Sequence, residues 1–465
     1  MQGRLAKTLF MLGLVAVLGG CPTTSHRYDT ARVSDLSRLE VRGADRAPDP
    51  EVAELLARPL DVEAAVRVAL FHNRDLRADL LELGVTAGER LQAGLPANPD
   101  FELEVLPERD ARLELRVEQE ITSLVLAPIA GEITDDEVEA ARLDVATSAI
   151  QLSYRVRVAF HALQAAEERL ALVRASNDNL AVARDAAETL RSIGNLSELD
   201  AAGHGLAFDR GAATLVEHEL AVATARERLA RLLGVDGSDP WRVAAPLPPV
   251  RQADPQLSDV EGRAVSASLE LMALERRGRA ASRRATLTDV RGWLPRTTLD
   301  VHALDVRPEE PGGDGGWRFG GGVGLEVPIF DRQQGRAMAH RARRDGLAAR
   351  REGLALELRS LAREFAQRVR DTHRVTRRYD DHLVPRQRAL TAETLRQYNA
   401  MQLDAFALLS AHRAQLDTEL SAVEARRAYH DAVAGLRALW RGARVAAAPA
   451  SSSPEIETDE ENGDH

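Results

Sequence analysis

A long run of helical periodicity without a proline constrains this chain more than any other feature of its sequence. Apolar residues recur at alternating steps of four and three, at Leu152, Val156, Ala159, Leu163, Ala166, Leu170 and Val173. This is the heptad spacing of helices that pack as coiled coils. No proline interrupts 133–191, and a single helix of that length would be about 90 Å long. Few compact domains can hold such a rod, so the spacing predicts an elongated bundle of long helices.

The composition agrees with long helices rather than with a large globular core. Aromatic residues make up 4% of the chain, and the apolar share of 44% is mostly Ala, Leu and Val. Small and aliphatic side chains let helices approach closely, whereas a large globular core normally uses more of the bulky aromatics. The composition excludes a collagen-like chain, a disulfide scaffold and a disordered chain. We expect a mainly α fold with a small β part.

The charge distribution argues against a nucleic-acid partner and marks the C-terminus. The formal net charge is −11, whereas binding to nucleic acid normally requires a net basic surface. Six acidic residues with no basic residue beside them lie near the C-terminus: Glu455, Glu457, Asp459, Glu460, Glu461 and Asp464. A segment of this composition cannot bury enough apolar surface to fold. We therefore predict a disordered acidic tail over 443–465.

The N-terminus has the pattern of a secretory signal. Arg4 and Lys7 precede an apolar run from Leu9 to Leu18. That run has about ten residues, whereas a membrane-spanning helix needs roughly 20. The run ends in Leu18-Gly19-Gly20-Cys21, and Cys21 is the only cysteine of the chain. Small residues directly before a cysteine resemble a bacterial lipobox, so 1–20 is predicted to be a lipoprotein signal peptide.

The resemblance to a lipobox implies that Cys21 becomes the N-terminal residue and carries acyl chains such as palmitate. Several acyl chains anchor a protein firmly, because each buried methylene contributes about 0.8 kcal/mol. Pro22 follows the cysteine, where an Asp would imply retention at the inner membrane. The resemblance therefore implies a lipid-anchored protein of the outer membrane of a Gram-negative bacterium, extending into the periplasm. An ordinary signal with an incidental cysteine is the alternative.

Two segments alternate polar and apolar residues with a period of two, which predicts two β-hairpins. We expect the first hairpin over 100–121 and the second over 297–327. Apolar alternates of the first are Phe101, Leu103 and Val105. The last strand of the second presents a predicted membrane-facing row of Trp317, Phe319, Val323 and Leu325. A strand that spans a membrane needs about 9–11 residues, and only this last strand is expected to reach that length. The three apolar alternates of the first hairpin predict a narrow apolar band, roughly 10–12 Å high.

The two halves of the chain are predicted to be repeats. Each half has the order helix, hairpin, long helix, turn and helix, and a proline-containing pair flanks each hairpin: Leu95-Pro96 and Pro128-Ile129, then Leu294-Pro295 and Pro328-Ile329. An internal repeat indicates two similar structural units. The predicted organisation is an N-terminal extended segment over 21–59, a first repeat over 60–250 and a second repeat over 251–442.

The strand number has a geometric consequence. Four strands cannot close a barrel, since the smallest practical barrel has about eight. Open strand edges are not tolerated in lipid. If the hairpins enter a membrane, several copies of the chain must contribute, and three copies would supply twelve strands.

Three stretches of the sequence together resemble the TolC family of outer-membrane efflux proteins. They are Leu60-Asp61-Val62-Glu63-Ala64-Ala65 with His72-Asn73-Arg74-Asp75-Leu76, then Val327-Pro328-Ile329-Phe330-Asp331 with Gly335-Arg336, then Tyr398 to Arg413. Each motif alone is weakly specific. Their order, duplication and spacing across 60–442 make the resemblance specific.

The resemblance implies a homotrimer with two hairpins per chain. Its strands would form a 12-strand β-barrel in outer-membrane lipid, and its long helices would form a coiled-coil barrel, the α-helical periplasmic tunnel. Such a protein is the passive exit duct of a tripartite efflux or type I secretion-like system. It docks to a periplasmic adaptor (membrane fusion) protein and to an inner-membrane pump such as a resistance-nodulation-division transporter. Drugs and heavy metals are the substrates that the resemblance suggests.

The resemblance also implies a gate at the periplasmic tip, formed by two turns between helices. The predicted gate residues are Gly194, Ser197 and Asp200 in the first turn and Tyr398, Met401 and Asp404 in the second. Met401 stands where the family has glycine. Three copies of Asp404 around an axis would repel each other and attract cations. The alternative is that Asp404 is a helix cap or a solvated residue of the tip.

No motif supports catalysis, a cofactor or a metal site. The glycines of Gly320–Gly324 lie inside an alternating run, so a narrow barrel interior explains them better than a phosphate loop does. Histidines such as His161 and His373 occur singly on helical segments, where packing is favoured over metal binding. We expect a protein that is not an enzyme. The rival hypothesis is a non-conducting coiled-coil lipoprotein that tethers envelope components, and a continuous central channel would distinguish the two.

Overall fold

Long helices make up most of the structure. The computed structural model describes residues 30–42, 50–106, 112–236, 241–244, 246–252, 255, 257–306 and 316–446. The predicted signal peptide, Cys21 and the acidic residues of the tail lie outside the described residues. Within the described part, no helix is both long and apolar enough to cross a membrane.

The first repeat is built around one very long helix. Two short helices precede the repeat, α1 (Thr30–Ser37) and α2 (Pro50–Leu56). The repeat consists of α3 (Val62–His72), α4 (Arg74–Ala93), β1 (Asp100–Leu106), β2 (Arg112–Glu120), α5 (Ile121–Ser192) and α6 (Glu198–Leu233). Helix α5 has 72 residues, so it is about 108 Å long.

The second repeat has the same order of elements. It consists of α7 (Val260–Ala267), α8 (Leu269–Arg291), β3 (Arg296–Val306), β4 (Gly316–Glu326), α9 (Gln334–Arg378), a π turn (Tyr379–Leu383), α10 (Val384–Asn399) and α11 (Ala405–Arg441). The π turn keeps helical backbone angles at both ends, so α9 and α10 form one rod of about 100 Å. The long helix of each repeat is thus followed by a turn and by a returning helix of roughly half its length.

Matching caps position the helices of the two repeats. Asp61 caps α3 by accepting from the N–H of Ala64 at 2.7 Å, and Asn73 caps α4 by accepting from the N–H of Leu76 at 3.0 Å. In the second repeat Asp259 caps α7 and Ser268 caps α8. Asn73 and Ser268 each end one helix and start the next. At all four positions a side-chain oxygen accepts from an N–H of the first helical turn that has no intrahelical acceptor.

Two glycines close the repeats at equivalent places. Gly234 ends α6 with φ 75°, and a Cβ there would lie 2.6 Å from the carbonyl oxygen of His72. Gly442 ends α11 with φ 111°, and a Cβ there would lie 2.4 Å from the carbonyl oxygen of Ala267. Only glycine permits both the left-handed backbone and this close approach.

The hydrophobic core forms a belt around the middle of α5. Leu152, Val156, Ala159, Leu163 and Val173 are at most 2% exposed, whereas Ala166 and Leu170 of the same seam are half-buried. The predicted heptad seam is therefore confirmed. The seam packs against α6 and α11 and joins the two repeats in one core.

The hairpins form one sheet rather than two separate ribbons. The strand order is β1-β2-β3-β4, and every neighbouring pair is antiparallel. The register between the hairpins places Val117 opposite Val301 and Glu118 opposite Asp300. The two repeats thus share a four-stranded sheet at one end of the helices.

Several sequence expectations need correction. Strands β2 and β3 have 9 and 11 residues, so the expectation that only the last strand reaches spanning length is wrong. Pro128 lies inside α5, beyond its first turn, so the helix continues there without the hydrogen bond that an N–H at 128 would donate to Leu124. The segment 21–59 is not extended throughout its described part: α1 and α2 bury Val33, Val52 and Leu55.

The packed chain also continues beyond the predicted start of the tail. Ala443 and Val445 are 0% and 5% exposed. The side chain of Gln151 donates to the carbonyl oxygen of Arg444 at 3.0 Å. These contacts hold 443–446 against α5, so only residues after 446 are left to form a tail.

Candidate functional site

One face of the four-stranded sheet is apolar across all strands. The register aligns Leu103, Leu115, Ala303 and Phe319 in one row. Leu103, Leu115 and Phe319 of this row are exposed, and Phe319 and Val323 have exposed fractions of 71% and 65%. The predicted membrane-facing residues Trp317, Phe319, Val323 and Leu325 all lie on this face. An exposed apolar face of this extent marks a surface that contacts lipid or another protein.

The opposite face of the sheet is acidic. Alternation and register place on it Asp100, Glu102, Glu104, Glu114, Glu118, Glu120, Asp300 and Glu326. The basic residues that the register places on the same face are Arg112, Arg116, Arg296 and Arg318. Eight carboxylates against four guanidinium groups leave a formal charge of −4 on this face. In the sequence, the glutamates that alternate with apolar residues in the first hairpin indicate this acidic face. The prediction from the sequence rested only on the apolar residues of that alternation.

The glycines of β4 make room on the acidic face for side chains of β3. A Cβ at Gly320 would lie 2.4 Å from His302 Nε2, and a Cβ at Gly322 would lie 2.5 Å from Asp300 Oδ1. His302 and Asp300 therefore lie flat across the neighbouring strand. His302 Nδ1 is 3.2 Å from Asp300 Oδ2. The glycines serve close packing of the sheet, which agrees with the expectation that they are not a phosphate loop.

Both outer strands of the sheet have a free edge. β1 pairs only with β2, and β4 pairs only with β3, among the strands that the structure describes. An unpaired strand edge presents a row of N–H and C=O groups that can pair with another chain. The sheet is thus a segment that a second copy can extend on either side.

The first turn at the far end of the helices follows α5. Gly194 has φ 78°, and the N–H of Asn195 donates to the carbonyl oxygen of Leu190 at 2.9 Å. Ser197 caps α6 by accepting from the N–H of Asp200 at 3.1 Å, and Ser197 Oγ donates to Asp200 Oδ2 at 2.6 Å. These bonds fix the turn between the two helices.

The second turn repeats this geometry with different residues. Met401 has φ 56° and is 95% exposed, and the N–H of Gln402 donates to the carbonyl oxygen of Gln397 at 2.9 Å. The N–H of Met401 donates to the carbonyl oxygen of Tyr398 at 2.9 Å. Met401 therefore occupies the place that Gly194 has in the first turn, in a backbone conformation that favours glycine.

Asp404 caps a helix at this turn. Asp404 Oδ1 accepts a hydrogen bond from the N–H of Ala407 at 2.8 Å, at the start of α11. Asp404 thus takes the position of Ser197 in the first turn. The interpretation of Asp404 as a cap is confirmed, and the residue is exposed.

The described residues include no group of three or more His, Cys, Asp or Glu side chains that could hold a metal ion. The buried histidines serve packing instead. His161 Nδ1 lies 3.2 Å from Asp431 Oδ1, and His373 Nε2 donates to the carbonyl oxygen of Arg251 at 2.9 Å.

Comparison with known proteins gives matches at the level of structure. No protein-family model and no curated protein sequence matches the chain. The outer-membrane channel OprN superposes with a TM-score of 0.66 at 20% identity, over 91% of this chain and 98% of OprN. The outer-membrane protein VceC of Vibrio cholerae gives a TM-score of 0.67 at 14% identity, over 82% and 96% of the two chains. The outer-membrane channel CmeC of Campylobacter jejuni gives 0.64 at 12%, over 91% and 93%.

The chain has the TolC-like fold. The sequence resemblance to that family is thereby confirmed for the fold. The fold class is confirmed too, as long helices with a small antiparallel sheet.

The TolC-like fold separates the two candidate sites along the molecule. α5 begins directly after β2, and it ends two residues before Gly194. The sheet and the first turn therefore lie at opposite ends of a helix about 108 Å long. The second repeat separates β4 from Met401 in the same way.

Proposed function

We propose that three copies of this chain form a passive exit duct across the outer membrane. The pump and its energy source are other proteins. The copies contribute twelve strands to a β-barrel and their long helices to a periplasmic tunnel. The single observation that carries this proposal is the sheet with two free edges, an exposed apolar face and an acidic face.

The geometry of the sheet supports assembly through its edges. β4 of one copy can pair with β1 of the next, so that each free edge is satisfied. The apolar face then faces lipid, and the acidic face lines water. An outer apolar band with a polar interior is the arrangement of known outer-membrane barrels.

The acidic face supports a preference for cations at the exit. The formal charge of −4 per chain would become −12 in a trimer. Charges of one sign in a narrow, low-dielectric passage attract counter-ions. We propose that cations and cationic compounds pass this end of the duct more easily than anions.

The turn end supports contact with other components. Leu199 of the first turn and Phe406 of the second have exposed fractions of 82% and 77%. We propose that this end docks to a periplasmic adaptor, which connects the duct to an inner-membrane pump such as a resistance-nodulation-division transporter. Drugs and heavy metals are the proposed substrates. Gating at the two turns, through Gly194, Asp200, Tyr398 and Asp404, is part of this proposal.

The N-terminus supports a lipid anchor. We propose that Cys21, after removal of 1–20, carries acyl chains in the outer membrane. Mass spectrometry of the mature protein tests this step, because a Cys21→Ser variant would lose the added acyl mass.

Imaging of the full-length protein extracted in detergent tests the duct. We expect a three-fold particle more than about 100 Å long with an axial cavity, since the helices and the sheet add in length. A solid particle or a monomer at high concentration would contradict the duct and favour the non-conducting tethering lipoprotein.

Conductance across a planar bilayer tests the acidic lining. We expect the double variant Glu102→Gln, Glu104→Gln to shift the reversal potential in a salt gradient towards weaker cation preference. Glu54→Gln is the control, since Glu54 lies on α2, away from the sheet. An unchanged reversal potential in the double variant would remove the acidic face from the pore.

A further inference from the structure

A cavity lined by arginines lies in the middle of the molecule. Its volume is about 290 Å³, and α3, α5, α7 and α11 contribute to its walls. Five arginines reach it, namely Arg38, Arg157, Arg263, Arg437 and Arg441. Glu63 is the carboxylate among its lining residues. The cavity is about as far from the sheet as from the turns, because Arg157 is near the middle of α5.

Only one of the five guanidinium groups has a carboxylate partner within the described part of the chain. Arg157 forms a two-point ion pair with Glu63, with nitrogen–oxygen distances of 2.8 and 2.6 Å. Arg263 stacks on the ring of Trp440 at 3.7 Å. The side chains of Arg38, Arg437 and Arg441 form no hydrogen bond and no ion pair with described residues. The lining thus carries a formal excess of four positive charges.

Positive charges gathered without anions are unfavourable. Arg441 is half-buried, and burial lowers its pKa, followed by the nearby charge of Arg157. The charge of Glu63 raises the pKa of Arg441, whereas the charges of Arg437 and Arg38 lower it further. Buried charges in proteins are normally paired, which here concerns Arg441, whereas Arg38, Arg263 and Arg437 are exposed around it. The cavity is therefore suited to an anion with several negative groups.

The chain supplies such an anion beside this cavity. Tyr154 lines the cavity, and its hydroxyl donates to the carbonyl oxygen of Ala446 at 3.3 Å. Ala446 is the last described residue. The sequence after it, 447–465, contains neither Lys nor Arg and carries the carboxylates of 455–464. Eight residues, 447–454, lie between Ala446 and Glu455, so the nine Cα–Cα steps reach at most about 32 Å.

We propose that carboxylate side chains of the acidic C-terminal segment 455–464 bind the arginines that line this cavity. Guanidinium groups bind carboxylates through two parallel hydrogen bonds, which suits Arg437 and Arg441 to acidic side chains. Attachment at Ala446 keeps the segment at high effective concentration, so that weak individual contacts suffice. The segment needs no folded structure of its own to bind in this way. This inference is independent of the proposed duct.

Protease protection in the full-length protein tests the proposal. A glutamate-specific protease is added at low salt, and mass spectrometry follows cleavage after Glu455 and Glu457. We expect the Arg437→Gln, Arg441→Gln variant to be cleaved about ten-fold faster than the wild type, since two charge-assisted contacts are lost. Arg350→Gln, Arg351→Gln is the matched control, because both arginines are exposed on α9. We expect this control variant to be cleaved at the same rate as the wild type.

A second experiment leaves the folded part unchanged. In the full-length chain the six tail carboxylates are replaced by amides, as Glu455→Gln, Glu457→Gln, Asp459→Asn, Glu460→Gln, Glu461→Gln and Asp464→Asn. A labelled synthetic peptide of sequence 452–465 is the probe. We expect this variant to bind the peptide at least about ten-fold more tightly than the wild type, whose own tail competes. We expect about 0.5 M salt to abolish binding, because screening weakens exposed ion pairs.

Three results would overturn the proposal. The first is equal cleavage of the wild type and the Arg437→Gln, Arg441→Gln variant. The second is equal peptide binding with and without the tail carboxylates. The third is an imaged oligomer in which carboxylates of a neighbouring copy pair with Arg437 and Arg441, which would assign the cavity to subunit contact.

Discussion

Asn73 joins the two ends of the first repeat through one side chain. Its Oδ1 accepts from the N–H of Leu76 at 3.0 Å, and its Nδ2 donates to the carbonyl oxygen of Leu232 at 3.0 Å. The second repeat makes this junction with different atoms: Ser268 caps α8, and the N–H of Leu269 donates to the carbonyl oxygen of Gly442 at 3.0 Å. Both repeats thus join the start of a helix near their beginning to the end of their last helix, but they do so through different hydrogen bonds.

Asn73→Ala is expected to destabilise the protein by about 2 kcal/mol. It removes a helix cap, which costs about 1 kcal/mol, and it leaves a carbonyl oxygen of α6 without its donor. Asn73→Ser retains the cap alone and should lose about half as much. Thermal unfolding followed by circular dichroism measures the difference. Asn179→Ala on the exposed side of α5 is the control, and equal losses in the Ala and Ser variants would contradict the second bond.

Gly435→Ala is expected to destabilise the contact between α9 and α11. A Cβ at Gly435 would lie 2.1 Å from Phe365 Cε1, and Phe365 is 2% exposed. Overpacking of this kind costs about 1–3 kcal/mol. Phe365→Leu should restore part of the loss in the double variant, because the smaller side chain removes the clash.

A double-mutant cycle of thermal unfolding measures this coupling. Gly278→Ala is the control, since a Cβ there meets no atom within 4 Å. Additive effects of Gly435→Ala and Phe365→Leu would show that the two positions do not clash.

His430 is expected to make stability depend on pH in the acidic range. Burial lowers the pKa of His430 below its usual 6.5, although its hydrogen bond to the carbonyl oxygen of Pro248 acts in the opposite direction. His161 and Arg426 also lower the pKa, and Asp431 raises it. Because the pKa is lowered in the folded state, the neutral imidazole of His430 contributes its full stability above pH 6.5. This contribution is lost as the pH falls through the lowered pKa of the folded state.

His430→Gln tests this dependence, because glutamine keeps a donor for Pro248 and does not titrate. We expect the variant to lose stability less steeply below pH 6.5, by at most about 1.4 kcal/mol per pH unit for one proton. His382→Gln, on the exposed π turn, is the control. Parallel pH profiles of His430→Gln and wild type would exclude the effect.

Two substitutions of Asp404 distinguish its role as a helix cap from the effect of its charge. Asp404→Ser keeps a capping oxygen, as Ser197 does in the first turn, whereas Asp404→Ala removes it. We expect amide exchange at Ala407 to be about five-fold faster in the Ala variant and unchanged in the Ser variant, since a cap contributes about 1 kcal/mol. Hydrogen-exchange mass spectrometry measures this difference.

The same pair of variants tests the gate. If the carboxylate acts on ions, both variants should change antibiotic leak into cells and single-channel conductance to a similar extent. Wild-type leak and conductance in both would remove Asp404 from the gate.

Local signals in the sequence were sufficient for the elements and their order. The heptad positions from Leu152 to Val173 predicted the long helix, and the alternation from Phe101 to Val105 predicted a hairpin. These signals are reliable because helix and strand periodicity depend on neighbours within a few residues. Asp404 could be interpreted as a helix cap for the same reason.

Contacts between distant residues could only be decided by the tertiary structure. The pairing of β2 with β3 joins Val117 to Val301, and the cavity brings Arg157 near Arg437 and Arg441. No local pattern specifies which of many similar arginines or strands will meet, because the choice depends on the packing of both repeats in one core. The sequence by itself thus determined long helices, hairpins and duplication, while the tertiary structure decided the shared sheet, its acidic face and the cluster of unpaired charges.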